Sequence, residues 1–276
     1  MNPNYQATDH PCLLTGATGA IGKEIANHLA ANGESIILAC RNTNKAEELK
    51  NELLQKYPQC RKIWVVCLDL SDEESVINAA KTIKDALIRQ ISHPETKEHL
   101  YYTTSLKAII NNAGVMNRHF SVDSKGREKT MSVNYCNTRL LCELLKDNVC
   151  EGGVIVFTTS LTRFLHKRTD YPTIFAEKDF SQLGTYGRSK RMITEYARTL
   201  EKEMQLRNIR VNCADPGIVN SDMIRMERWY DRLADIFFRP FIRTPRQGAQ
   251  PALRALSTKQ TGRIFCKYLT HRMIML

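Results

Sequence analysis

The feature that most constrains this chain is the regular alternation of short apolar runs with segments of helical period. Runs bounded by turn formers recur at Cys12 to Thr15, Ser35 to Cys40, Ile63 to Leu68, Leu106 to Ile110, Val154 to Thr158, Ile209 to Cys213 and Arg263 to Cys266. Between them apolar residues return every three or four positions, as in Ile21, Ile25 and Leu29, or Ile193, Ala197, Leu200 and Met204. That spacing is the stripe of an amphipathic helix. Strands that are apolar throughout need cover on both faces, and alternating helices supply it on each side of a parallel sheet. The pattern predicts an α/β fold, a single-domain doubly wound parallel sheet of about seven strands with helices on both faces, spanning residues 1–276. Ligands of such sheets lie beyond the carboxyl ends of the strands.

Neither a Pro/Gly/Ser-rich linker nor an internal repeat divides the chain, and 276 residues suffice to bury a core without disulfide or metal staples. Two insertions stand out. Residues 90–105 are polar and read as a surface excursion, whereas residues 220–245 are rich in Arg, Phe, Met and Trp.

The nine cysteines form no CxxC pair, and Cys12, Cys40, Cys67 and Cys213 sit in or beside apolar runs, the pattern of buried free thiols in a reducing compartment. The first residues lack a basic start with an apolar run, and no stretch approaches a membrane span. A cytoplasmic protein is expected. The seven histidines form no HxH or HExxH cluster, so no metal is expected. A net charge of +11 suits nucleic acid, a membrane surface or an anionic small molecule. No zinc finger, basic zipper or RNA-stacking motif accompanies the charge, which argues against nucleic acid.

The first strand runs through Thr15-Gly16-Ala17-Thr18-Gly19-Ala20-Ile21-Gly22 into a helix. Glycines there let a backbone approach a pyrophosphate, which the helix N-terminus favours through its free N–H groups and dipole. An ordinary tight strand-to-helix turn has the same look. The end of the second strand carries Arg41, where an acidic residue would favour NAD and an arginine accommodates the 2'-phosphate of NADP(H). Lys45 adds a second charge one turn on; a solvated surface arginine is the alternative. Asp69 and Leu70 close the third strand, and the Asp69 carboxylate suits either the adenine amino group or a cap on the next helix.

Tyr186-Gly187-Arg188-Ser189-Lys190 opens a helix, and a spacing of four puts phenol and ammonium on one face. Tyrosine titrates near ~10, so nearby positive charge is needed before the phenol exchanges a proton at neutral pH. Taken alone, this pair also fits a solvated helix face.

Six motifs in order change that standing: the Gly-rich turn, Asn111-Asn112-Ala113-Gly114, Asn134 in SVNY, Ser160 in VFTTS, YxxxK, and Asp215-Pro216-Gly217-Ile218-Val219. Together they make the chain similar to the short-chain dehydrogenase/reductase family from end to end. Through LACRNTNKAEEL, NNAGVM, PGIVNSDM and FFRPFIRTPRQGAQ, and a Ser160-to-Tyr186 interval of 26 positions, it looks most like the NADP-dependent retinol-dehydrogenase-like branch. The resemblance implies a Rossmann fold and a catalytic set of Asn134, Ser160, Tyr186 and Lys190. Ser160 would hydrogen-bond the substrate oxygen and Tyr186 would exchange its proton. Lys190 would bind the nicotinamide ribose and lower the tyrosine pKa, and Asn134 would hold a relay water. It further assigns Thr15, Gly16, Thr18, Gly19, Ile21, Gly22, Arg41, Asp69, Leu70, Asn111, Ala113, Gly114, Tyr186, Lys190, Pro216, Gly217, Val219 and Ser221 to cofactor binding, and suggests a homodimer or homotetramer.

Two departures stand against the family pattern. The middle glycine of TGxxxGxG has moved to Gly19, with Ala20 after it, and Asp215 precedes Pro216 where asparagine or histidine often stands. The first also looks like the extended, nucleotide-sugar epimerase or dehydratase branch, although only 86 residues follow Lys190, few for that branch's substrate domain. A non-catalytic NADP-sensing protein would not need Asn134, Ser160, Tyr186 and Lys190 together. The segment at about 220–245 reads as a lid for a large lipophilic carbonyl or alcohol, steroid-, bile-acid- or retinoid-like. Its interleaved arginines allow peripheral membrane contact, and a helix pair with one buried face fits the same pattern.

Overall fold

The computed structural model describes residues 10–92, 99–103, 105–165, 172–219, 242–267 and 269–273. In chain order its elements are β1 (Cys12–Thr15), α1 (Ala20–Ala31), β2 (Ile36–Cys40), α2 (Thr43–Lys56), β3 (Ile63–Cys67), α3 (Glu73–Leu87), β4 (Ile88–Ser92), β5 (His99–Thr103) and β6 (Leu106–Asn111). They continue with α4 (Lys129–Met131), a π turn (Ser132–Cys136), α5 (Asn137–Leu145), β7 (Val149–Thr158), α6 (Gln182–Met204), β8 (Arg210–Ala214), α7 (Pro245–Ser257), β9 (Arg263–Phe265) and β10 (Thr270–Arg272).

Eight strands form one sheet in the order β10-β9-β8-β7-β6-β1-β2-β3, all pairs parallel except β9 with β10. The chain winds outward from β1 to β3, then restarts on the other side of β1 at β6. The carboxyl ends of β1 and β6 therefore flank the switch point, where a crevice must open because successive crossovers leave in opposite directions. Each inner strand is buried on both faces, as in β1 and β2, whose residues are all at most 3% exposed. One core layer packs α3, α5 and α6 against the sheet through Ile83, Leu141, Ile193 and Phe157; the other packs α1, α2 and α7 through Ile25, Leu49 and Ala252.

The alternation thus gives the fold, with one strand more than expected. β10 reads Thr-His-Arg and is exposed at all three positions, so it carries no apolar signal; an antiparallel edge strand needs only backbone hydrogen bonds. Within residues 90–105 the described part is not a plain surface excursion, since β4 and β5 pair antiparallel from Ile88–Thr103 to Ser92–His99. β7 begins at Val149 rather than Val154, because its irregular start includes Gly152 at φ 76° and the register shifts opposite Leu106 and Ala108. All nine cysteines are free, but Cys67, expected among the buried ones, is exposed at the end of edge strand β3. Among the described residues no helix is long and apolar enough to cross a membrane.

Candidate active site and cofactor cleft

A cleft of about 880 Å³ opens at the switch point, lined by Gly16 and Thr18 to Gly22 after β1, Ala39 to Asn42 and Lys45 around the end of β2, Leu68 to Ser71 after β3, and Asn112 to Arg118 after β6. Two glycines shape its floor by necessity. Gly16 takes φ 65°, and an added Cβ would lie 2.9 Å from Ala113 Cα; at Gly22 it would lie 2.2 Å from the Gly16 carbonyl. Side chains at either place would push β1's turn off the β6 turn or off its own helix. Gly19 differs: its φ is −76°, and a Cβ would meet only the Gly16 carbonyl at 3.4 Å. The glycine displaced from the usual spacing therefore sits where the backbone does not demand one. Gly19 also caps α1 without a side-chain hydrogen bond, which leaves the first N–H groups of the helix uncapped beside the cleft.

The two turns are latched together. Thr15 Oγ1 accepts from the N–H groups of Asn112 (3.1 Å) and Ala113 (3.0 Å), while Asn112 Nδ2 donates to the carbonyls of Thr15 (3.0 Å) and Gly16 (3.2 Å). Thr15 is thus buried beneath the cleft as a support. Asn111 is likewise 3% exposed, and its amide has no hydrogen-bond partner among the described residues. Of the two asparagines in the Asn111-to-Gly114 turn, it is Asn112 that lines the cleft, with Ala113 and Gly114.

Arg41 is exposed on the cleft wall, with Lys45 behind it on α2. Asp69 Oδ1 accepts from Ser71 N–H (2.8 Å) and Ser71 Oγ (2.7 Å), so it braces its own turn; the cap of α3 is Asp72, which accepts from Glu74 N–H. Leu70 is buried and Thr18 lines the cleft beside Cys40. Ile21 packs near Gly248 of α7, where an added Cβ would also lie 2.5 Å from Val219. Gly217 takes φ 71°, and Arg243 lies directly over it, donating from Nη1 to the Pro216 carbonyl at 2.8 Å. Ser221 and most of the anticipated lid, residues 220–241, lie outside the described residues.

Tyr186 and Lys190 fall on one face of α6, with Lys190 Nζ 5.6 Å from the phenol ring centroid. Ser160, just past β7, stands near enough to the Tyr186 phenol to favour its ionised form through its hydroxyl. Lys190 Nζ donates to the Thr158 carbonyl at 2.9 Å and is 3% exposed. It lies so close to Gly114 that a Cβ there would approach Nζ at 3.2 Å. Asn134, in the π turn, clamps the same turn: its Oδ1 accepts from Val115 N–H (2.8 Å), and its Nδ2 donates to Val115 O (2.8 Å) and Ser189 Oγ (3.0 Å). Both amide hydrogens are engaged, which restricts any relay through Asn134 to its carbonyl oxygens.

Burial pushes Tyr186 up to about 12, Asp215 adds to the rise, and the Ser160 hydroxyl opposes it. Burial also brings Lys190 down to about 8, with Asp215 opposing. The rise at the phenol comes from desolvation first and then from the carboxylate of Asp215, the residue that departs from the family pattern before Pro216. A second buried group, Arg163, gave no motif at all and pairs with that carboxylate at 2.9 Å. What the arrangement offers chemically is two neighbouring hydroxyls at the strand ends, a buried ammonium one turn away that packs against Gly114, and, lined by that same Gly114, a cleft with a cationic wall at the end of β2.

The sequence matches the short chain dehydrogenase family over residues 11–230. It is 31% identical over 258 residues to retinol dehydrogenase 11 of Mus musculus, covering 93% of this chain and 76% of that protein. It is 28% identical over 269 residues to retinol dehydrogenase 12 of Homo sapiens, covering 97% and 79%. A short chain dehydrogenase from Burkholderia cenocepacia, solved in complex with NADP, superposes with a TM-score of 0.69 at 19% identity, covering 92% of each chain. Fold, ordered motifs and matched length agree: the chain belongs to the short-chain dehydrogenase family of oxidoreductases, on its retinol-dehydrogenase-like side.

Proposed function

We infer that this oxidoreductase uses NADP(H) to interconvert an alcohol and a ketone or aldehyde on a lipophilic substrate, with Tyr186 as the acid/base. The observation that carries the reading is the pairing of the Ser160 and Tyr186 hydroxyls beside buried Lys190, whose Nζ lies against Gly114, one of the residues lining a cleft whose other side bears Arg41. The residues present fit a dinucleotide: Gly16 and Gly22 leave a cradle that Cβ atoms would fill, and an uncapped helix N-terminus adjoins it. Arg41, seconded by Lys45, would hold a 2'-phosphate. Bound there, NADPH supplies the hydride for the carbonyl carbon. Ser160 orients the carbonyl oxygen, Tyr186 gives it a proton, and Lys190 binds ribose and returns a proton to the phenol.

A lipophilic substrate is supported by exposed apolar side chains around Ser160 and Tyr186: Leu161, Phe164, Leu165, Leu183 and Ile218 are each more than 40% exposed. The names of the mouse and human relatives point the same way, as dehydrogenases of retinol. A cytosolic setting, in keeping with nine free thiols, belongs to the same proposal.

The test is an NADPH-depletion screen over retinoid, steroid and long aliphatic aldehydes and ketones, run in parallel with NADH and with Arg41→Asp. Turnover with NADPH on an apolar carbonyl is expected. Arg41→Asp is expected to weaken NADPH relative to NADH roughly ten- to hundredfold, the worth of a charge-assisted hydrogen bond. An unchanged preference would remove Arg41 from phosphate recognition, and absence of turnover across the panel would favour a cofactor-sensing role.

A further inference from the structure

Cys40 closes β2, Cys67 closes β3, and the two strands pair in parallel with these cysteines as Cα partners. In-register neighbours on parallel strands point to the same face of the sheet, because successive side chains alternate along each strand. The core layers follow that rule. Leu38 and its partner Val65 pack with the layer of α1, α2 and α7, whereas Ala39 and its partner Val66 pack with the other layer. One position on, Cys40 is back in the first layer, and Cys67 points to the same side. Among the described residues no other two cysteines are strand partners.

The two thiols differ in access. Cys40 is 3% exposed and lines the cleft, while Cys67 is open to solvent at the sheet's edge. Adjacent strands lie ~4.8 Å apart, inside the window of about 4.4–6.8 Å between Cα atoms that a disulfide spans. Side chains that rise in parallel keep their Cβ atoms at much the same spacing, wider than the ~3.8 Å of a relaxed bridge. A bond between them therefore draws the two strand ends together. β3 is free to follow, since among the described strands β2 alone pairs with it. What comes after each cysteine is cleft wall: Arg41 and Asn42 after Cys40, Leu68 to Ser71 after Cys67, with Leu68 N–H donating to the Cys40 carbonyl at 3.1 Å.

We propose that Cys40 and Cys67 form a reversible redox site, which a small disulfide such as glutathione disulfide converts into a cross-strand bridge that weakens the hold of the cleft on its dinucleotide. The effect on binding rests on the cleft being the NADP(H) site. Cys67, the accessible thiol, loses its proton and attacks one sulfur of glutathione disulfide. That S–S bond breaks, one glutathione leaves as the thiol, and a mixed disulfide stands on Cys67. Cys40 then attacks Cys67 Sγ, gives up its proton and expels the second glutathione. The two cysteines are oxidised by two electrons, and glutathione disulfide is reduced to two thiols. The order follows from burial, which shields Cys40 from a bulky oxidant and pushes its thiol up. A bridge drawn tight and open to solvent on one side belongs to the easily reduced, regulatory kind.

The test exposes the whole protein to glutathione disulfide, blocks the remaining thiols with iodoacetamide under denaturing conditions, and maps the unreduced peptides by mass spectrometry. Dinucleotide affinity is measured by calorimetry on the same oxidised samples before denaturation. The expected result is a peptide joining Cys40 to Cys67 and a Kd for NADPH raised roughly tenfold, the worth of one loosened charge-assisted contact at Arg41. Dithiothreitol is expected to reverse both. Cys67→Ser, at a position outside the cleft lining, is expected to bind NADPH like the reduced wild type and to ignore the oxidant. A glutathione adduct that persists on Cys67, or recovery of both cysteines alkylated, would overturn the proposal. So would a linked pair that leaves NADPH affinity unchanged. If the reduced protein binds neither NADPH nor NADH, the cofactor reading fails, and the peptide map still decides the redox site.

Discussion

The two halves of the site are built by different means. At the β1–β6 end shape comes from missing atoms, since Gly16 and Gly22 are places where a Cβ would collide with backbone at 2.9 and 2.2 Å. At the β7–β8 end shape comes from added charge, in a buried arginine and aspartate that tie the Ser160 turn to the Gly217 turn. The first end is set by sterics, which act locally and tolerate few residue types. The second is set by long-range pairing, which constrains residues far apart and is free to vary while its charges balance.

The difference is open to attack at each end. The largest effect on stability is expected from Asp215→Ala or Arg163→Ala, each stranding a buried charge at a cost of about 3–5 kcal/mol, read as a lower denaturant midpoint. A small loss would mean that water reaches the pair. At the other end Gly22→Ala is expected to cost about 1–3 kcal/mol by overpacking and to weaken NADPH binding in calorimetry. Gly19→Ala is expected to cost at most about 1 kcal/mol and to leave NADPH binding intact, because its Cβ has room. Equal losses at Gly19 and Gly22 would break the steric account. The mildest signature is in pH: Lys190, brought down to about 8, is charged below that pH and neutral above it. Carbonyl reduction is therefore expected to be flat below pH about 8 and to decline above it, while the phenol, pushed up to about 12, keeps its proton.

The same contrast explains what was legible in the sequence. Inner strands such as Cys12–Thr15 announce themselves because both faces are buried, whereas Tyr186 and Lys190, one helical turn apart, stand out only in the company of the other motifs. Gly16 and Gly22 are readable because no other residue fits. β10 was invisible, since an exposed edge strand needs no apolar pattern. The latch by Asn112 lay inside a recognised motif, but which of two adjacent asparagines faces the cleft depends on strand phase at its end. Arg163 had no local signal whatever: its meaning comes from a residue 52 positions away that strand pairing alone brings near.

The central claim is that Tyr186 transfers the proton, and it is tested most directly by kcat for carbonyl reduction in Tyr186→Phe, with NADPH affinity measured on the same preparation. The account predicts a fall of roughly 10²–10⁴-fold, the contribution of a placed general acid, with NADPH affinity unchanged. Undiminished turnover in Tyr186→Phe would contradict it.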